Sequence, residues 1–176
     1  MSDAASSTSE EQFAALVTLV GKSGLELESV IHGTSMGRAI PNGSRIRITT
    51  GRDGAYNPGQ IVACVQGADI FAHRVVYRGR TPRTRDYLIT QGDGCLFCDK
   101  PMHISEVLGI VREVSHDNEW CTPTTSADRT TTERQVARAS LCLVSGCLRV
   151  HPRLACGMAA WLLWLDRLLA CVRATS

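Results

Sequence analysis

The pattern of apolar positions divides the chain into a short helix, a β-rich middle and a helical end. Near the start, Phe13, Leu16, Val17 and Val20 recur at helical spacing, after a lead of small and polar residues. Apolar residues at this spacing share one face of a helix. We therefore predict a short amphipathic helix at about residues 9–20.

The middle of the chain has the alternation typical of strands. Ile46 and Ile48 alternate with Arg45 and Arg47, so one side of this segment is expected to be buried and the other exposed. Further short strands are predicted at residues 60–65, 71–77, 87–90 and 107–114, separated by turns that contain Gly or Pro. This punctuation predicts a mainly β, mostly antiparallel domain.

The last part of the chain changes to helical spacing. Two helices are predicted at residues 132–148 and 153–172, and Pro152 between them is tolerated in a first helical turn. An apolar stripe on the second helix consists of Leu154, Met158, Trp161, Leu165, Leu168 and Val172. The predicted organisation is a lead and helix at 1–24, a β-domain at 25–114, a polar linker at 115–131 and a helical extension at 132–176.

Composition narrows the class of protein. Of the 176 residues, 44% are hydrophobic and 20% are charged, which is typical of a globular protein and not of a disordered one. The 19 basic and 17 acidic residues give a net charge of +2, too balanced for a dedicated nucleic-acid-binding protein, so we expect no nucleic-acid partner. The eight cysteines, in a sequence without a recognisable signal peptide, are expected to be reduced thiols in the cytoplasm.

Five short motifs that could carry chemistry follow one another between residues 33 and 111. The first begins at Ser35-Met36 and continues with Ile40, Gly43, Ile46 and Ile48; the others are Pro58-Gly59-Gln60-Ile61-Val62, His73-Arg74-Val75-Val76, Thr90-Gln91-Gly92-Asp93 and Val107-Leu108-Gly109-Ile110-Val111. In this order they resemble the motifs of the S24/S26 peptidase superfamily, which contains the signal peptidases and the self-cleaving repressors. The histidine motif is similar to that of the endoplasmic-reticulum and archaeal signal peptidases.

The resemblance implies a compact β-fold of the signal-peptidase and repressor type, and a serine endopeptidase that cleaves a precursor or leader peptide. It makes Ser35 the nucleophile, and a serine hydroxyl needs a base within hydrogen-bond reach. Where the superfamily uses a lysine base, that lysine lies in the strand that holds His73 here. The two lysines of this chain, Lys22 and Lys100, lie elsewhere in the sequence, so His73 is expected to be the base.

A third group is expected to orient the imidazole of the base. By resemblance it is Asp99, which follows the aspartate of the Gly-Asp motif by six residues. Asp93, the aspartate of that motif, is the alternative. Met36, directly after the nucleophile, is expected to contact the substrate.

The sequence also departs from the family pattern. Arg38 stands where the family has proline, and Ser44 and Gln60 replace two aspartates. Gly33 stands where many signal peptidases carry a serine that helps to bind the oxyanion. These departures leave open a catalytically weak or inactive peptide-binding module of the same fold. A self-cleaving regulator is a third alternative. It would need a lysine base and a DNA-binding helix-turn-helix, and neither is recognised in the sequence.

Partners and location follow from weaker signals. Cys95 and Cys98 near His103 could form half a zinc site, but no second pair has matching spacing, so no metal and no cofactor is expected.

The tryptophans and flanking arginines of the helix at 153–172 suit a membrane surface or a docking partner, and Asp166-Arg167 within it disfavours a span. We expect a cytoplasmic protein, or one peripheral on the cytoplasmic face of a membrane, with a single-pass anchor as the alternative. The oligomeric state stays open.

Overall fold

A computed structural model of the chain describes residues 19–20, 23–51, 56–66, 69–80, 86–116, 119–123 and 131–174. Within these residues the protein is mainly β, with one antiparallel sheet of eight strands and two helices near the C-terminal end. The helix predicted at 9–20 lies outside the described residues, except for Leu19 and Val20, which are helical.

The order of the strands in the sheet determines which loops meet. The strands are β1 (Glu26–Val30), β2 (Arg45–Thr50), β3 (Ile61–Gln66), β4 (Asp69–Arg80), β5 (Asp86–Gln91), β6 (Met102–His103), β7 (Val107–His116) and β8 (Glu119–Cys121). They lie in the order β1-β2-β7-β3-β4-β5-β6, with β8 paired to β7. Because β4 lies beside β5, a side chain on β4 can reach the loop that follows β5.

The predicted alternation of β2 is confirmed and becomes two faces of the sheet. Ile46 and Ile48 are fully buried, and burying such a side chain contributes about 1.5–3 kcal/mol. On the other face, Arg47 pairs with Glu28 of β1 and with Glu113 of β7. Ion pairs this accessible contribute about 0–1 kcal/mol each, so the buried isoleucines contribute most to the stability of this strand.

The two helices cover part of the sheet. They are α1 (Thr131–Val150) and α2 (Pro152–Ala174), and Pro152 begins α2, where its missing N–H leaves no helical hydrogen bond unmade. Val144 of α1 and Ala155 of α2 pack with Ile89 and Phe97 in one buried cluster. Residues 88–91 of β5 are therefore all buried, and this strand lacks the usual alternation of exposed and buried positions.

The buried face of α2 differs from the predicted stripe. Ala155, Ala159 and Leu162 are buried, whereas Leu154 is 57% and Trp161 is 54% exposed. Met158 and Leu165 of the predicted stripe are partly buried against this cluster, so the prediction is right in part. The side chains of Leu168 and Val172 lie outside the described part of the structure. Small residues complete the buried face because they let a helix approach its neighbours closely. Among the described helices, none is long and apolar enough to cross a membrane.

Three strands differ from the sequence-based prediction. β1, β6 and β8 are short or largely polar, and none of them was predicted. The polar linker predicted at 115–131 contains the end of β7 and all of β8. These segments are strands because a neighbouring strand supplies their hydrogen bonds, which periodicity within the segment does not reveal.

Candidate active site

Ser35 lies in a tight turn between β1 and β2. The N–H of Gly33 donates to Oδ1 of Asn42 at 2.8 Å, and the N–H of Gly37 donates to the carbonyl of Thr34 at 3.0 Å. Gly37 has a φ of 52°, a left-handed conformation that glycine adopts without strain. The turn therefore holds Ser35 half-buried at a fixed position.

A turn that ends in buried side chains cannot move freely. Met36 is 2% exposed and Ile40 is fully buried, and both belong to the core cluster that contains Ile46 and Ile48. Met36 was expected to contact the substrate, but its side chain is packed into this core and little of its surface is accessible. Its observed contacts anchor the turn that carries Ser35.

Three polar side chains from distant parts of the sequence form one chain of contacts. Nε2 of His73 lies 2.9 Å from Oγ of Ser35. Nδ1 of the same imidazole lies 2.6 Å from Oδ2 of Asp99. With the carboxylate accepting from Nδ1–H, Nε2 is left to accept the hydroxyl proton of Ser35. These are the contacts that a nucleophile, a base and an orienting acid require.

The surroundings of His73 limit its contact with water. It lies on β4, its ring meets that of Phe71 edge to face at a centroid distance of 5.2 Å, and its side chain is 12% exposed. Phe71 and Val75 belong to or pack against the same apolar cluster, as their shared face on a strand predicts. The imidazole is thus fixed by packing as well as by hydrogen bonds.

Asp99 is itself held by β5. Its Oδ2 accepts a hydrogen bond from Oγ1 of Thr90 at 2.7 Å, and its backbone N–H donates to the carbonyl of Thr90 at 2.8 Å. A carboxylate with two donors keeps its orientation toward the imidazole. Thr90 belongs to one of the five sequence motifs but no role for it could be predicted, because only the fold brings it against Asp99.

Asp93, the alternative orienting residue, contacts a different partner. Its carboxylate takes two hydrogen bonds from the guanidinium of Arg74, at 2.9 and 2.6 Å. The Asp93 side chain is 7% exposed and that of Arg74 is 14% exposed, so this is a largely buried, bidentate ion pair. Arg74 also donates to the carbonyl of Gly59 at 2.7 Å. The pair links β4 to two loops, and the imidazole of His73 contacts Asp99 instead.

Two glycines after β5 let the backbone approach the nucleophile. The N–H of Gly94 donates to the carbonyl of Ser35 at 2.7 Å. A Cβ on Gly92 would lie 2.5 Å from that same carbonyl oxygen, a distance that no side chain could tolerate without movement. The loop after β5 is thus held against the backbone of Ser35.

Two of the described cysteines are held in the protonated form by burial. Burial raises the pKa of the Cys64 thiol, and it raises that of Cys98 to about 11, so both stay protonated at neutral pH. The seven cysteines whose side chains the structure describes, all except Cys171, form no disulfide with one another. Among those residues, no group of three His, Cys, Asp or Glu side chains is arranged to hold a metal ion. Lys22 lies outside the described residues, and Lys100 lies directly after Asp99.

A groove adjoins the histidine and the aspartate. It has a volume of about 740 Å³, and His73 and Asp99 are part of its lining. Apolar side chains from β3, β4, the loop after Asp99 and helix α2 form part of the walls, and the charged side chains of Asp69, Lys100 and Glu106 complete them. This groove was not predicted from the sequence, because its walls come from segments about 100 residues apart in the chain.

Comparison of the sequence with protein-family models and with curated proteins gives no match.

Proposed function

We propose that the protein is a serine endopeptidase that resembles the signal peptidases and cleaves a precursor or leader peptide. The observation that carries the proposal is the continuous set of contacts from Ser35 through His73 to Asp99. Such a set is typical of acyl transfer, in which a hydroxyl becomes a nucleophile only as its proton leaves. The proposal includes the compact β-fold of the signal peptidase superfamily, with which the antiparallel sheet is compatible.

Each group has one role in the proposed reaction. Oγ of Ser35 attacks the scissile carbonyl while Nε2 of His73 takes its proton. The backbone N–H of Ser35 stabilises the oxyanion of the tetrahedral intermediate. His73 then gives the proton to the leaving amine, and an acyl-enzyme remains. Water, deprotonated by the same imidazole, hydrolyses the ester and restores Ser35.

Asp99 acts through the imidazole. Its carboxylate keeps the proton on Nδ1 and stabilises the imidazolium that forms when His73 takes the serine proton. Thr90 keeps the carboxylate in place. The alternative of an inactive binding module finds less support, because a module that only binds peptides has no need of three aligned groups.

The substrate is proposed to be a peptide or precursor protein, bound in extended form and cut beside small side chains. This part of the proposal comes from the family resemblance. For a location, we propose association with the anionic cytoplasmic surface of a membrane. Trp161 and Trp164 are 54% and 55% exposed on α2, and Arg149 and Arg153 nearby are exposed as well, a combination typical of interfacial helices.

Replacement of the two central groups tests the proposed chemistry. Ser35→Ala and His73→Ala should each lower peptide cleavage by on the order of 10⁴-fold or more, because nucleophile and base act as one unit. The double variant should be no slower than the slower single variant. The measurement is cleavage of an internally quenched peptide containing Ala-Ala, with circular dichroism as a check on folding. Undiminished turnover by folded Ser35→Ala protein would refute the proposed nucleophile.

A further inference from the structure

One buried polar side chain near the candidate active site has no part in the proposed reaction so far. Gln91 is the last residue of β5 and is 4% exposed. An amide group is costly to bury unless it is hydrogen-bonded, because it loses its contacts with water. Its partners therefore show what this side chain does in the fold.

The amide nitrogen of Gln91 bonds to the β5–β6 loop (residues 92–101). Nε2 donates to the carbonyl of Cys95 at 2.9 Å and to that of Leu96 at 3.1 Å. A carbonyl oxygen only accepts hydrogen bonds, so these two partners require a donor, and a carboxylate could not replace the amide. The side chain thus holds the middle of the loop against the end of β5.

The same loop contacts the candidate site at two points. Near its start, the N–H of Gly94 donates to the carbonyl of Ser35 at 2.7 Å. Near its end, the carboxylate of Asp99 lies 2.6 Å from Nδ1 of His73. The two carbonyls that accept from the amide lie between these points in the sequence. A change in the path of the loop would therefore move the nucleophile and the orienting carboxylate together.

Other hydrogen bonds fix the base and the turn of the loop. The N–H of Asp99 donates to the carbonyl of Thr90 at 2.8 Å and closes the loop at its base. The N–H of Cys95 donates to the carbonyl of Gly92 at 3.0 Å and forms a turn. The side chain of Gln91 adds the bonds that join this turn to the strand.

We infer that Gln91 is a positioning residue for the proposed reaction: its amide holds the β5–β6 loop so that Ser35, His73 and Asp99 stay aligned. The inference rests on the proposed function for the identity of the reaction. A displacement of about 1 Å between reacting groups can lower a rate on the order of 10²-fold. The amide bonds to the backbone of the loop, so Gln91 acts through the loop.

The test uses the full-length chain and three variants. Gln91→Met keeps the volume but removes both donated hydrogen bonds, and Gln91→Glu places a carboxylate against two carbonyl oxygens. Thr50→Val is the matched control, because Thr50 on β2 is equally buried and its Oγ1 donates to the carbonyl of Leu25 at 2.8 Å. All three lose a buried bond from a side chain to the backbone, but only the Gln91 variants lose it beside the candidate site.

The first readout is the rate at which a small alkyl fluorophosphonate labels Ser35 in the folded protein. We expect both Gln91 variants to lower this rate at least tenfold, with Gln91→Glu the slower of the two. Thr50→Val should stay within about twofold of the wild type. In cleavage of an internally quenched peptide, kcat should fall while KM stays within about threefold, because alignment affects the transition state and not substrate binding.

The second readout needs no reaction. Amide hydrogen exchange, resolved by NMR, reports the N–H groups of Gly94 and Asp99, whose hydrogen bonds hold the loop in place. Both amides should exchange at least tenfold faster in the Gln91 variants than in the wild type, while the amides of β2 keep their rates. In Thr50→Val the two loop amides should exchange as in the wild type.

Two results would overturn the inference. One is labelling or loop-amide exchange at the wild-type rate in both folded Gln91 variants, and the other is an equal loss in Thr50→Val, which would make the effect one of general stability. A failure of the proposed function gives a different result. In that case Ser35 is not labelled even in the wild-type protein, while exchange of the loop amides still depends on Gln91.

Discussion

Asp93 and Asp99 are six residues apart and have different surroundings. Asp99 contacts the imidazole of His73 at 2.6 Å, whereas Asp93 forms a buried ion pair with Arg74. In the proposed mechanism Asp99 affects the rate of the reaction. Asp93 is expected instead to contribute to the stability of the fold. Isosteric replacement of each carboxylate separates the two effects.

Asp99→Asn should lower kcat for peptide cleavage by on the order of 10⁴-fold, because an amide favours the wrong tautomer of the imidazole. The free energy of unfolding should change little by comparison, since the side chain keeps its size and can still bond to Thr90. Steady-state kinetics and urea denaturation measure the two quantities. A rate close to that of the wild type would remove Asp99 from the mechanism.

Asp93→Asn is the matched control. Removing one partner of a buried ion pair leaves a buried charge without compensation and costs about 3–5 kcal/mol. We therefore expect a large loss of stability with the Ser35 labelling rate of the folded protein within about tenfold of the wild type. Full stability combined with complete loss of labelling would instead give Asp93 the role proposed for Asp99.

At the scale of single elements, α2 has three surfaces with different surroundings. One packs into the core, one lines the groove, and the third exposes Trp161 and Trp164. The helix was predicted correctly from its periodicity, but the division of its faces was predicted only in part. Large apolar residues lie on all three sides, and only contact with α1 and the sheet determines which of them are buried.

The outer face of α2 should bind anionic membranes. We expect full-length protein to float with liposomes that contain phosphatidylserine, and the double variant Trp161→Ala, Trp164→Ala to lose most of this binding, because two exposed aromatic anchors are removed. Leu163→Gln, on the groove side, should float like the wild type. Equal flotation by the double variant and the wild type would contradict the proposed membrane surface.

Some strands can likewise be predicted from the apolar pattern within the segment, whereas others depend on contacts with neighbouring strands. β2, β3, β4, β5 and β7 could be predicted, because each has several apolar residues at strand spacing or in a short run. β6 has two residues and β8 has three, too few for any period to be recognised. Their pairing depends on the neighbouring strands and loops.

At the scale of the whole molecule, the candidate site was predictable only in part. Ser35 and His73 could be proposed from short motifs, and Asp99 from family spacing. The roles of Thr90 and Gly94 could not, because each depends on a contact with a residue distant in the sequence. The groove could not be predicted at all, since Phe71 and Leu163 come to line the same groove only after both the sheet and the helices have formed.

The central claim is that Ser35 is an activated nucleophile, and the direct measurement is labelling of the intact protein by an alkyl fluorophosphonate, followed by mass spectrometry. The account predicts one adduct per chain, located on Ser35, formed by the folded protein but not by the denatured protein or by His73→Ala. An unmodified Ser35 in folded protein, or labelling that survives the loss of His73 undiminished, would contradict the account.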